Sequence, residues 1–190
     1  AQGIRYAARR GADVINLSLY VGLIEEGLDD VLDAAAAARE RGVVVVAAAG
    51  NNSEPWCVEP AASVICVGAT DRWDRPATYS NRDVALQSSY LVAPGGAWYE
   101  ECAGMVLSTT LPPNGPIPCA EGPHYARSFG TSAAAPVVAG VAALLAGTGA
   151  DADEIERCIL ETAEDLGPAG RDPLFGYGRV DAARAVRCAL

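Results

Sequence analysis

The sequence predicts an α/β fold: a mostly parallel sheet with helices packed on both faces. Three observations carry this. "VVVVAAA" (43–49) and "SVICVGA" (63–69) are unbroken apolar runs of strand length, as expected of strands covered on both sides. Helical stretches lie between and around them, and strand–helix–strand alternation implies parallel pairing with crossovers. The alanine-rich "TSAAAPVVAGVAALLAG" (131–147) is a helix with no charged face, so it belongs in a core.

Each element follows from local signals. Residues 3–10 read as a helix ending near Gly11, and "DVINLSL" (13–19) as a buried strand. A helix over 25–41 presents Leu28, Val31, Leu32 and Ala35, and is closed by Arg39, Arg41 and Gly42. The apolar runs at 43–49 and 63–69 follow. Residues 70–130 are rich in proline and read as turns and short strands. Helices over 131–147, 152–164 and 181–189 complete the chain, with a turn around Gly167–Gly178. Pro136 reads as a first-turn proline, where a missing N–H matters little. There is no repeat and no linker, so residues 1–190 form one domain. The chain opens on "AQGIRYAARRG", the tail of an amphipathic helix, and is expected to be a fragment continuing upstream.

Composition narrows the function. With 190 residues and 51% apolar content the chain can bury one sizeable core. The net charge is −10, the fourteen cations are all arginine, and none cluster, which argues against nucleic-acid binding. No apolar run free of Gly or polar residues is long enough to span a bilayer. The six cysteines form no C-x-x-C pair, and the single histidine has none near it in sequence. Disulfides in an oxidising compartment, secreted or on the cell surface, fit better than zinc. Fifteen pairings are open to six cysteines. The spacing suggests Cys102–Cys119 across the proline-rich loop, Cys158–Cys188 between the last two helices, and Cys57–Cys66 as the third.

In parallel sheets, function gathers at the carboxyl ends of the strands, where three features fall. "AAAGNNS" (47–53) sets Asn51 behind a flexible Gly50; it reads as a turn, or as an amide donor aimed at an oxyanion. In "NLSLYVG" (16–22), Ser18 to Val21 leave a strand and suit strand addition by a peptide. Thr131 and Ser132 open a helix, where serine is either a cap or a nucleophile in the positive field of the dipole. Small flanks, Gly130 and Ala133 to Ala135, favour the nucleophile.

Taken in order, these stretches resemble the subtilisin-like serine proteases. "GTSAAAPVVAGVAALL" is similar to the family's nucleophile motif, "DVINLSL" to its substrate strand, and "GVVVVAAAGNNS" to the strand leading to its oxyanion asparagine. "SVICVGATD", "YSN", "LVAPGG" and "FGYGRVDAARAV" follow in family order. The G-x-G-x-x-G and G-x-S-x-G turns of nucleotide-binding and α/β-hydrolase sheets are absent. The resemblance implies that Ser132 is the nucleophile and that Asn51 and the Ser132 N–H hold the oxyanion. Ser18, Leu19 and Tyr20 would pair with a peptide or protein substrate. Ala48, Ala49 and Gly50 would wall a side-chain pocket, and Thr131 is grouped with the substrate-binding residues.

The resemblance also implies a base and an orienting carboxylate from segments upstream of "DVINLSL", so the chain is expected to need that missing part and to be inactive alone. His124 precedes Ser132 by eight residues in a proline-flanked loop and reads as an ordinary loop histidine; Asp71, Asp74 and Asp83 read as turn carboxylates. Tyr20 and Val21 replace glycines usual in the family, and Ala133 and Val137 replace a frequent methionine and histidine. The short "EPAA" loop, with Tyr90 where an aspartate is expected, argues against calcium, and no cofactor is expected. The competing reading is a non-catalytic relative that keeps the groove to bind peptides.

Overall fold

The computed structural model describes residues 1–19, 27–57, 63–111 and 119–190. Its elements in order are α1 (Gln2–Arg9), β1 (Val14–Leu17), α2 (Leu28–Arg39), β2 (Val44–Ala48), β3 (Ile65–Thr70) and β4 (Ser89–Pro94). A 3₁₀ segment (Trp98–Gly104), β5 (Val106–Thr109), β6 (Tyr125–Ser128), α3 (Thr131–Ala146), α4 (Ala152–Glu161) and α5 (Ala182–Cys188) follow. The expected α/β class holds.

Strands β1 to β4 form one parallel sheet in sequence order, with Val14 opposite Val44 and Val46 opposite Ile65. Alternate residues of β2 serve opposite layers, which is why its whole length is apolar. Val44, Val46 and Ala48 pack toward Val138, Val141 and Leu145 of α3 and Ile155 and Ile159 of α4. Val45 and Ala47 face the other way, onto Ile4 and Ala8 of α1 and Ala34, Ala35 and Ala38 of α2. Under β3 and β4 that second face is covered by a loop instead of a helix, with Phe175, Leu166 and Leu174 against Cys66, Tyr90 and Val92.

One of the short strands expected within 70–130 joins the main sheet: residues 89–94 lie in register with β3 from Ile65↔Ser89 to Thr70↔Pro94. Serine and proline at its ends disguise a core of Tyr90, Leu91, Val92 and Ala93, none more than 1% exposed. One feature, Pro136, differs from the sequence reading: it is the sixth residue of α3, beyond the first turn, so its missing N–H leaves the carbonyl of Ser132 without a helical donor.

Disulfides join Cys57–Cys66, Cys102–Cys119 and Cys158–Cys188, with Cα separations of 6.4, 5.3 and 5.7 Å; these are the pairs the spacing suggested. Asp71 is a buried turn carboxylate. Burial works to raise its pKa, but hydrogen bonds from the Arg75 and Trp73 backbones, the Arg75 guanidinium and the Tyr99 hydroxyl hold it below its ordinary value. Tyr90 directs its hydroxyl at the carbonyls of Asn81 (3.1 Å) and Leu174 (3.3 Å). The "EPAA" loop lies outside the described residues.

Candidate active site

The loop that leaves β2 meets the first turn of α3 at the carboxyl end of the sheet. Gly50 turns the chain with φ +106°, and its N–H donates to the Thr131 hydroxyl at 3.1 Å. That hydroxyl donates in turn to Asn51 Oδ1 at 2.9 Å, and the Thr131 N–H reaches the same oxygen at 2.9 Å. With Oδ1 held by two donors, the amide has one orientation and its Nδ2 group is turned away from Thr131.

Gly130 shows where that amide nitrogen lies. Its φ is +132°, and a Cβ on it would stand 3.2 Å from Ser132 Oγ and 3.3 Å from Asn51 Nδ2. Only glycine keeps the gap between hydroxyl and amide open. Ser132 is the second residue of α3, in the turn whose N–H groups lack intrahelical partners and carry the positive end of the dipole. A carbonyl entering the gap would meet the Ser132 hydroxyl on one side and N–H donors on the other.

The cleft here encloses about 190 Å³ and is lined by Ser18, Leu19, Ala48, Gly50, Asn51, Thr131 and Ser132. Most residues proposed for the site are therefore brought together. Tyr20 lies outside the described residues. One expectation changes. Ala49 does not wall the cleft, because its side chain packs in the cluster with Cys57, Cys66 and Tyr90 on the other face. Thr131 lines the cleft but is fully buried, and its N–H and hydroxyl are engaged internally, where they orient Asn51.

Sequence reasoning missed Asn81. It is 1% exposed, and its side chain accepts from the N–H groups of Asn52 (3.1 Å) and Glu54 (2.9 Å) and donates to the Ala49 carbonyl (2.9 Å). Its own N–H donates to the Gly50 carbonyl at 3.0 Å. One side chain thus holds both ends of the loop bearing Asn51. The only signal was the polar "YSN" after an apolar strand, since the bonded partners lie 27–32 residues away.

Tyr79 braces the other side. Its hydroxyl donates to the Gly96 carbonyl at 2.6 Å and accepts from the Gly130 N–H at 3.0 Å. Burial raises its pKa well above that of an ordinary phenol, so it stays a neutral donor.

Ser18 Oγ donates to the backbone carbonyl of Ser132 at 2.8 Å and accepts from Asn16 Nδ2 at 2.9 Å. His124 is exposed in the loop before β6 and takes no part in the cleft. Among the described residues lining the cleft, none is a base for Ser132.

The subtilase-family profile matches residues 1–178. The chain belongs to the subtilase family. It is 39% identical over 189 residues to a thermophilic serine proteinase of Bacillus sp. (strain AK1), covering 98% of this chain and 40% of that protein. It is 37% identical over 190 residues to a halolysin-like extracellular serine protease of Natrialba magadii, covering 98% of this chain and 30% of that protein. A crystal structure of a lanthipeptide protease superposes with a TM-score of 0.81 at 28% identity, over 98% of this chain and 64% of its own. The chain thus spans well under half the length of these two relatives. Among the described residues, no helix is long and apolar enough to cross a membrane.

Proposed function

We propose that these residues are the nucleophile-bearing part of a secreted serine endopeptidase, completed by an upstream segment that supplies the base and its orienting carboxylate. The observation that carries the reading is the gap at Gly130, with Ser132 Oγ on one side and a fixed Asn51 amide on the other. Ser132 Oγ attacks the peptide carbonyl as the base takes its proton. Asn51 Nδ2 and the Ser132 N–H then hold the oxyanion. Its collapse breaks the C–N bond, the amine leaves with the proton, and water releases the acyl group by the same steps. A peptide-binding module would need neither the hydroxyl nor the oriented amide.

Helix α3 supports the upstream partner. Its buried side faces the sheet, while Ser132, Pro136, Val137, Gly140, Ala143 and Leu144 form an exposed stripe; Leu144 is 59% exposed. An apolar stripe starting at the nucleophile suits a segment that lays its base beside Ser132. Strand β1 also ends the sheet, with no neighbour on its outer side among the described residues. Secretion fits the three disulfides and the extracellular relative.

Labelling with a fluorophosphonate tests the reading. The protein expressed with the coding sequence upstream of Ala1 should be modified at Ser132, the Ser132→Ala variant should not react, and the 190-residue chain should react negligibly. A folded, upstream-extended protein that stays unlabelled, or is labelled elsewhere, would favour the peptide-binding module.

A further inference from the structure

Helix α3 contains a defect four residues beyond the nucleophile. In an α-helix the carbonyl of Ser132 would accept from the N–H of residue 136, but residue 136 is proline and has none. The donor present is the hydroxyl of Ser18, 2.8 Å from that carbonyl and 114 positions away in sequence. Asn16 in turn donates to Ser18 Oγ, which leaves the hydroxyl proton for the Ser132 carbonyl.

We infer that the Ser18 hydroxyl is a positioning residue for Ser132: it replaces the helical hydrogen bond that Pro136 removes and fixes the nucleophile's backbone against the strand end that aligns substrate. The inference deepens the protease reading and rests on it for its kinetic consequence. Ser18 follows directly on β1 and lines the cleft with Ser132, so a single bond sets the offset between the peptide-aligning segment and the attacking residue. Once substrate fills the cleft and displaces water, no other side chain among the described residues donates to the Ser132 carbonyl, and an unpaired carbonyl would draw the first turn of α3 out of place. Misplacement of this kind acts on turnover more than on binding.

The test is a double-variant cycle in the upstream-extended protein, using Ser18→Ala, Pro136→Ala and both together. Ser132 labelling, peptide turnover and melting temperature are measured for each. Ser18→Ala should slow labelling and lower kcat by about tenfold or more with KM nearly unchanged. Pro136→Ala restores the helical N–H, and in that background Ser18→Ala should change the rate by less than about twofold. Ser18→Thr, which keeps a hydroxyl, should recover most of the parent rate. Equal losses from Ser18→Ala in both backgrounds would overturn the inference, as would a Ser18→Thr variant as slow as Ser18→Ala. If the parent is never labelled, the protease reading fails but this inference stays testable. Ser18→Ala should then lower the melting temperature with proline at 136 and not with Pro136→Ala, and additive shifts would refute it. Should Pro136→Ala not fold, the Ser18→Thr comparison decides.

Discussion

Two loops flank Ser132, and different chemistry holds each. The Ala49–Glu54 loop carries Asn51 and is fastened atom by atom: Gly50 to Thr131, Ala49, Asn52 and Glu54 to the Asn81 side chain, and Asn51 to Thr131. The excursion between β4 and α3 is pinned by hydrogen bonds at its base, where Tyr79 joins Gly96 to Gly130, and farther out is held by the Cys102–Cys119 bridge, the two-stranded β5–β6 ladder and an exposed Arg127–Glu121 ion pair. A buried hydrogen bond fixes a group to a few tenths of an ångström, because leaving either partner unpaired is penalised. A disulfide restricts the unfolded chain and ties two backbone points, leaving the loop between them wide latitude. An oxyanion donor needs the first kind of restraint.

That contrast can be broken at four points. Replacing Asn51 with alanine should lower turnover by roughly 10²–10³ with KM little changed; steady-state kinetics on the upstream-extended protein check this, and an unchanged kcat would remove Asn51 from the oxyanion site. Asn81→Ala should reduce turnover by about tenfold, equivalent to about 1.4 kcal/mol of misplaced hydrogen bonding, and should also lower the melting temperature. Turnover at the parental level would show that the loop needs no such clamp.

On the other loop, Cys102→Ser with Cys119→Ser should remove roughly 2–4 kcal/mol of stability in denaturant titration while the folded protein keeps its turnover. A kinetic loss there would erase the difference between the two loops. His124→Ala should change neither turnover nor melting temperature, and any loss of labelling would place that histidine in the chemistry.

Local pattern alone carried the strands at 43–49 and 63–69, the helices around them and the serine at the mouth of α3, because apolar period and flanking glycines are properties of contiguous residues. The candidate nucleophile and amide were readable for the same reason, each standing at a strand end or helix start within a short motif. What the sequence could not assign was decided by contacts across the fold. β4 became a buried strand at the end of the sheet because β3 pairs with it and the Phe175 loop covers it. Thr131 orients Asn51 because the β2 loop delivers Gly50 and Asn51 to its hydroxyl from 80 residues away. Asn81 clamps the same loop, and Ser18 answers the carbonyl that Pro136 strands, through pairings that no local window contains. Hydrogen-bond satisfaction of buried groups is settled by whatever the whole chain brings near, and only the tertiary structure holds that information.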